Sequence, residues 1–398
     1  MAASIYPEPA IDFDDHVGAL SHRTEAELRA ALLVLRTIRN PWLMRMGRTA
    51  ARVGLALHFP GTVGAIERTV FRLFCGGTSL EEAIVRAGRL SERHIGTILD
   101  YAVEGEDSEK DFDNVTEELA RVVEVTAKRP EVAFAAVKVS GIARFSLLES
   151  ISAKRDLNDD DSAEFERAVH RLDRIASQAH RSGAAVFVDA EHSWIQPAID
   201  SAVESLMQTH NQERAVVHTT IQLYLRDGYH RLEQAIKRAR DGGYKLGVKI
   251  VRGAYMKREN ERAVDNGVDS PIHPSKGETD RAYDEALTLC LENIEICSVC
   301  AATHNIPSTR HLLREMARLG IVPQDPRVTT SQLLGMFDRI TVPLAEHGYN
   351  ALKYVPYGGV RDTFPYLLRR AAENESVADQ LGAELEAVRT ELHRRGHR

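Results

Sequence analysis

Residues 351–374, ALKYVPYGGVRDTFPYLLRRAAEN, read as a β-strand, a paired-glycine turn and a helix. On that helix Tyr366, Arg369, Arg370 and Glu373 stand three or four positions apart and share one face, with the two adjacent arginines splayed by about 100°. Two neighbouring guanidiniums can grip one carboxylate from two sides, which a single lysine cannot do. An aromatic ring one turn away supplies an apolar wall. The pattern suggests a pocket for a small carboxylic acid with an apolar body.

The same alternation of strand and helix runs back along the chain. Short apolar or β-branched runs occur at IGTILDYAVE (95–104), AFAAVKVS (133–140), AAVFVDA (184–190), VVHTTIQLY (216–224), LGVKIVRGAY (246–255), SVCAATHN (298–305), RVTTSQLLG (327–335) and ALKYVPYG (351–358). Amphipathic helical text lies between them. Eight β-α units in about 280 residues match a (β/α)8 barrel in count and length. A doubly wound sheet competes, but no GxGxxG follows the first strand. Between the fifth and sixth runs, MKRENERAVDNGVDSPIHPSKGETDRAYDEAL (256–287) reads as a charged, proline-containing loop ahead of a helix, placed to cover a site. We divide the chain into an N-terminal helical region (1–90), the barrel (91–376) and a helical tail (377–398).

In such barrels the active site lies at the C-terminal strand ends, and polar residues collect there: Glu104; Lys138; Asp189, Ala190, Glu191 and His192; Gln222 and Tyr224; Lys249, Arg252, Gly253, Ala254 and Tyr255; Thr303, His304 and Asn305; Gln332; Tyr354 and Tyr357. Lys138 could serve to neutralise Asp189 inside the barrel. The acids and histidines could suggest a metal centre. However, no HxH or HExxH spacing occurs, and lysine and arginine on neighbouring strands oppose a divalent cation, so no metal is expected.

A net charge of −7 argues against nucleic acid as a partner. The chain has no apolar run long enough to span a bilayer, and its first residues lack a secretory or transit pattern, so the expected location is the cytoplasm. RNPWLMRMGRTAARV (39–53) joins Trp42, Leu43, Met44 and Met46 to four spaced arginines. It is a candidate for peripheral contact with the inner face of the cytoplasmic membrane. Four cysteines do not make a disulfide framework, and Cys297 and Cys300, a lone CxxC, lack the second pair a zinc site needs. Packing is the plainer reading.

VKIVRGAYM, ATHN, SQLLGM and YVPYGG…PYLLRRAAEN, preceded by FCGGTSLEEA and LDYAVEG, closely resemble the proline dehydrogenase family, in order along the chain from about residue 74 to 376. The resemblance implies a distorted barrel that binds FAD, oxidises L-proline to Δ1-pyrroline-5-carboxylate and passes electrons to a quinone. With no room for an aldehyde dehydrogenase domain, it implies a monofunctional enzyme. It assigns Arg369 and Arg370 to the substrate carboxylate, Lys138 to a further substrate contact, and Tyr255, Tyr354 and Tyr366 to the walls around the ring, with Leu334 or its neighbour completing them. Asp189 would orient Lys138 and the arginines, and Glu104 would pair with Arg369 as a gate. Ala190, Gln222, Lys249, Arg252, Gly253, Ala254, Thr303, His304 and Asn305 match segments that touch the flavin, and Glu373 would hold the arginines or reach the cofactor. Asp189, Lys249 and Lys138 form the implied catalytic group. Lys249 stands where the family often has arginine, which keeps the charge but loses the fork of donors. Tyr354 favours proline over hydroxyproline, the alternative substrate. A metal-assisted lyase or hydrolase on the same barrel is the rival of another class.

Overall fold

The computed structural model describes residues 11–13, 16–20, 23–38, 42, 46–47, 49–51, 53, 57, 59, 61–103, 106–364, 366–367 and 378–396. Eight strands close into a parallel barrel in sequence order: β1 Gly96–Tyr101, β2 Val132–Val137, β3 Val186–Val188, β4 Val217–Gln222, β5 Leu246–Val251, β6 Cys297–Ala302, β7 Val328–Leu333 and β8 Ala351–Tyr357. Six lie within the apolar runs that predict them, and β2 and β6 begin one residue earlier, at Val132 and Cys297. β8 pairs with β1 from Gly96↔Leu352 to Tyr101↔Tyr357, which seals the ring.

The period of two along each strand sorts the side chains. One face turns to the helices and joins the main core. The other fills the barrel, where Ile98, Ala136, Phe187, Cys300, Leu352 and Tyr354 pack together. Cys297 and Cys300, three positions apart, therefore face opposite sides of β6 and cannot act as a redox pair in this fold; all four cysteines are buried free thiols. Among the described residues no helix is long and apolar enough to cross a membrane.

His218 lies low in the barrel, with Phe134 and Phe187 edge-on to its ring at centroid distances of 5.2 and 5.1 Å. Gly247 makes room for it: a Cβ there would come within 2.6 Å of the imidazole. Burial drives the His218 pKa down to about 4, against a partial rise from the carbonyls of Val216 and Val186. The unfolded chain takes up this proton near pH 6.5 and the native one only near pH 4, so stability is complete above pH 6.5 and falls as the pH drops across that window. His218→Leu should remove roughly 3 kcal/mol of the pH dependence between these limits. Urea unfolding at pH 7 and pH 4.5 would show an unaltered slope if burial of this group were not responsible.

The barrel departs from regular alternation at its seam. The Leu80–Ser91 helix, which precedes β1, packs outside β1 and β8, where a helix following β8 would ordinarily lie. Ser79 caps it by accepting from the Glu82 N–H. Beyond β8, Tyr366 reaches the cavity. The segment expected as a loop after β5 also contains a helix, Met256–Asp265, rich in good helix formers, ahead of the Lys276–Glu292 helix.

The Glu25–Ile38 and Ala378–Arg394 helices pack on each other, and a buried charge cluster joins Arg23, just before the first, to Asp338, β8 and the second. Asp338 accepts from Arg23 Nε at 2.7 Å and faces Lys353 Nζ at 2.8 Å, and Lys353 is 2% exposed. Glu384 accepts the N–H of Phe337 at 2.7 Å. Phe337 has a φ of 53°, a left-handed conformation that a bulky residue keeps only when its surroundings impose it.

Candidate active site

At the C-terminal strand ends, side chains from five strands form one polar chain. Lys249 Nζ is bonded to Asp189 Oδ1. The other oxygen of Asp189 accepts from the Tyr354 hydroxyl at 2.6 Å. That hydroxyl lies 3.5 Å from Lys138 Nζ, which reaches both oxygens of Asp100 at 2.6 and 2.8 Å. Lys249 also sits over the rings of Phe187 and Tyr354, 5.0 and 5.2 Å from their centroids.

The charges are balanced locally. Burial pushes the Asp189 carboxyl up, but Lys249 and Lys138, with hydrogen bonds from Lys249 and Tyr354, hold it below the usual carboxylate range. Asp100 goes the other way: burial raises it, Lys138 opposes, and the charge on Asp189 adds to the rise. The Tyr354 phenol is pushed well up by burial and by both carboxylates, so it remains a neutral donor.

Above this chain opens a cavity of about 310 Å³. Lys138, Asp189, Ala190, Gln222, Lys249, Arg252, Gly253, Ala254, Tyr255, Thr303, His304, Asn305, Tyr354 and Tyr366, all singled out in the sequence, line it. Gln222 donates to the Glu191 carbonyl at 2.8 Å, and the Glu191 carboxylate accepts the Ser140 N–H at 2.9 Å, tying β2, β3 and β4 together. Arg252 is a brace: it donates to Asp280 (2.7 Å), Thr303 (2.7 Å) and Ser308 (2.8 Å) and lies over the Tyr283 ring. Asn305 caps the Ile306–Leu319 helix by accepting from Ser308 N. His304 accepts from Leu333 N at 3.1 Å and stacks on Phe337, 4.5 Å between centroids. Gly253 has a φ of 135°, and a Cβ there would strike the Tyr224 ring at 2.4 Å, so only glycine fits.

The structure differs from the sequence reading in several places. Lys138 pairs with Asp100 of the adjacent strand, which leaves Asp189 for Lys249 and Tyr354. Of the pair left open as Leu334 or its neighbour, Leu333 lines the cavity, because Leu334 has the opposite parity and is buried in the outer core. Tyr357 also points outward and donates to Glu118 at 2.8 Å. Glu104, Arg369, Arg370 and Glu373 lie outside the described residues. Asp100, Asp280 and Lys276 are additions; a carboxylate within the apolar run ILDY was the signal for the first. Among the described residues no cluster of three or more acidic, histidine or cysteine side chains could hold a metal.

Comparison with known proteins points to one family. A family profile described as proline dehydrogenase matches residues 83–383. The chain is 34% identical over 333 residues to the carbapenem antibiotics biosynthesis protein CarD of Pectobacterium carotovorum, covering 83% of this chain and 86% of that protein. It is 38% identical over 240 residues to human mitochondrial proline dehydrogenase 1, covering 60% of this chain but 40% of the human one. The crystal structure of proline utilization A from Bdellovibrio bacteriovorus, inactivated by N-propargylglycine, superposes with a TM-score of 0.72 at 21% identity, over 92% of this chain and 39% of that one. At that identity the likeness is one of fold.

Proposed function

This chain belongs to the proline dehydrogenase family, and from that premise we propose that it oxidises L-proline to Δ1-pyrroline-5-carboxylate, with FAD as the bound oxidant and a quinone as the final acceptor. The observation that carries the reading is the compensated chain Lys249–Asp189–Tyr354–Lys138–Asp100 beneath a cavity with tyrosine walls.

The residues present fit a flavin. Lys249 brings a cation to the cavity floor, and Arg252, Thr303 and His304 form a braced wall. When bound, the flavin accepts the hydride that leaves the carbon next to the proline nitrogen. The protein's task is placement and charge. Tyr255, Tyr354 and Tyr366 enclose the ring and exclude water. Asp189 fixes Lys249 and Tyr354, so the local dipoles are set before the substrate arrives. Asp100 and Asp189 already neutralise much of the charge on Lys138 and Lys249, which favours other cations, Arg369 and Arg370, as the grip on the carboxylate, with Glu104 as gate partner and Glu373 behind them.

Tyr354 supports proline over hydroxyproline. Exposed Trp42 (64%), Met46 (52%), Val53 (48%) and Leu57 (64%) recur at helical spacing beside arginines and support a peripheral contact at an anionic membrane, where a quinone would be met. The purified protein is expected to be yellow and to reduce a soluble quinone when given proline, faster with anionic vesicles. A colourless, metal-dependent protein would overturn the assignment.

A further inference from the structure

Tyr255, a wall of the cavity, is backed by an aromatic cluster whose other members the proposed chemistry does not use. His192 and Trp194, on the loop after β3, stack with centroids 4.3 Å apart and planes 15° apart. The other side of the cluster is Tyr255, whose ring is 4.3 Å from His192 at 52°. Phe145 meets His192 edge-on at 5.8 Å. Two polar ties lock the β3 loop to the Met256–Asp265 helix. Glu259, only 2% exposed, accepts the Ser193 N–H at 2.7 Å and the Ser193 hydroxyl at 2.5 Å. Arg262 lies over Trp194, 4.6 Å from its centroid, and is itself held by Glu149 at 2.6 Å.

Tyr255 needs such backing. It lines the cavity at the end of a short loop that leaves β5 through Gly253, the residue type with the softest backbone. A ring on such a loop defines a pocket wall only if something fixes it from behind. We propose that His192, steadied by Trp194, is a positioning residue that holds Tyr255 against the substrate ring and so sets how large a ring the site accepts. This rests on the proline-oxidising reading. The two strand-end loops then act as one clamp, and the specificity of the cavity depends on residues that do not touch the substrate.

The test compares holoenzymes carrying His192→Ala, Trp194→Ala and His192→Phe with the unaltered protein. Its readouts are kcat and KM for proline and for 4-hydroxyproline, the Kd of a five-membered cyclic ether carboxylate followed by flavin absorbance, and the Tm. His192→Ala should raise the proline KM and the analogue Kd by about two- to tenfold, the range in which an aromatic pair contributes, with kcat nearly constant and discrimination against 4-hydroxyproline reduced. Trp194→Ala should do the same more weakly, and His192→Phe, which keeps a flat ring, should restore the original values. If His192→Ala leaves KM, Kd and discrimination unchanged, the clamp is wrong. It is also wrong if only Tm and kcat fall and His192→Phe does not rescue. An unaltered protein inert towards proline would sink the functional reading and the clamp together, whereas an active one with an indifferent His192→Ala variant would sink the clamp alone.

Discussion

Asp189→Ala is expected to slow proline-dependent flavin reduction by about two to three orders of magnitude. Asp189 is the shared acceptor of Lys249 and Tyr354, and its removal strands a lysine whose side chain is 6% exposed. An uncompensated buried charge costs about 3–5 kcal/mol, so Lys249 must discharge or swing away, and Tyr354 loses the bond that fixes its ring. Stopped-flow reduction with proline, on protein checked for bound flavin, measures the effect. A rate within threefold of the original would remove Asp189 from the site. The pH dependence has a definite sign. Because the native carboxyl is held below its ordinary value, its contribution is full above the unfolded pKa of about 3.9 and is lost as pH falls through the native one.

The second large effect is expected at Asp100. Asp100→Leu leaves Lys138 without the carboxylate that it reaches through both oxygens, at a cost of about 3–5 kcal/mol in stability. Adding Lys138→Met removes the orphaned cation, so the double variant should regain most of the stability, as replaced buried ion pairs often do. Activity should not return with it, since the proposed contact of Lys138 with the substrate is still lost. Urea unfolding of the two single variants and the double variant closes the cycle. A double variant less stable than Asp100→Leu would show that the pair is a structural staple rather than a preorganised piece of the site.

The barrel was legible because every strand is an apolar run broken by a helix of opposite periodicity, and the cavity because polar residues accumulate at the ends of those runs. Two things were harder. Asp100 is enclosed by apolar neighbours in sequence, and only the barrel parity that puts Ile98 inside shows that Asp100 faces in as well. Pairing was ambiguous too: Lys138, just after β2, has acids on β1 and just after β3, and only coordinates show that it takes Asp100 and leaves Asp189 to a lysine two strands away. Likewise MKRENERAVD is charged enough to read as a loop, but Glu259 and Arg262 find partners on the β3 loop and on the Phe145–Ser152 helix that hold it as a helix.

The cluster of Arg23, Asp338, Lys353 and Glu384 has a consequence for the order of events during synthesis. Arg23 and Asp338 are 315 positions apart, and the Phe337 N–H finds its acceptor only when Glu384 has left the ribosome. His304 leans on that same Phe337. A nascent chain that has completed β8 thus has all its strands but an unfinished wall, and the cofactor should be captured late, after the Ala378–Arg394 helix has docked.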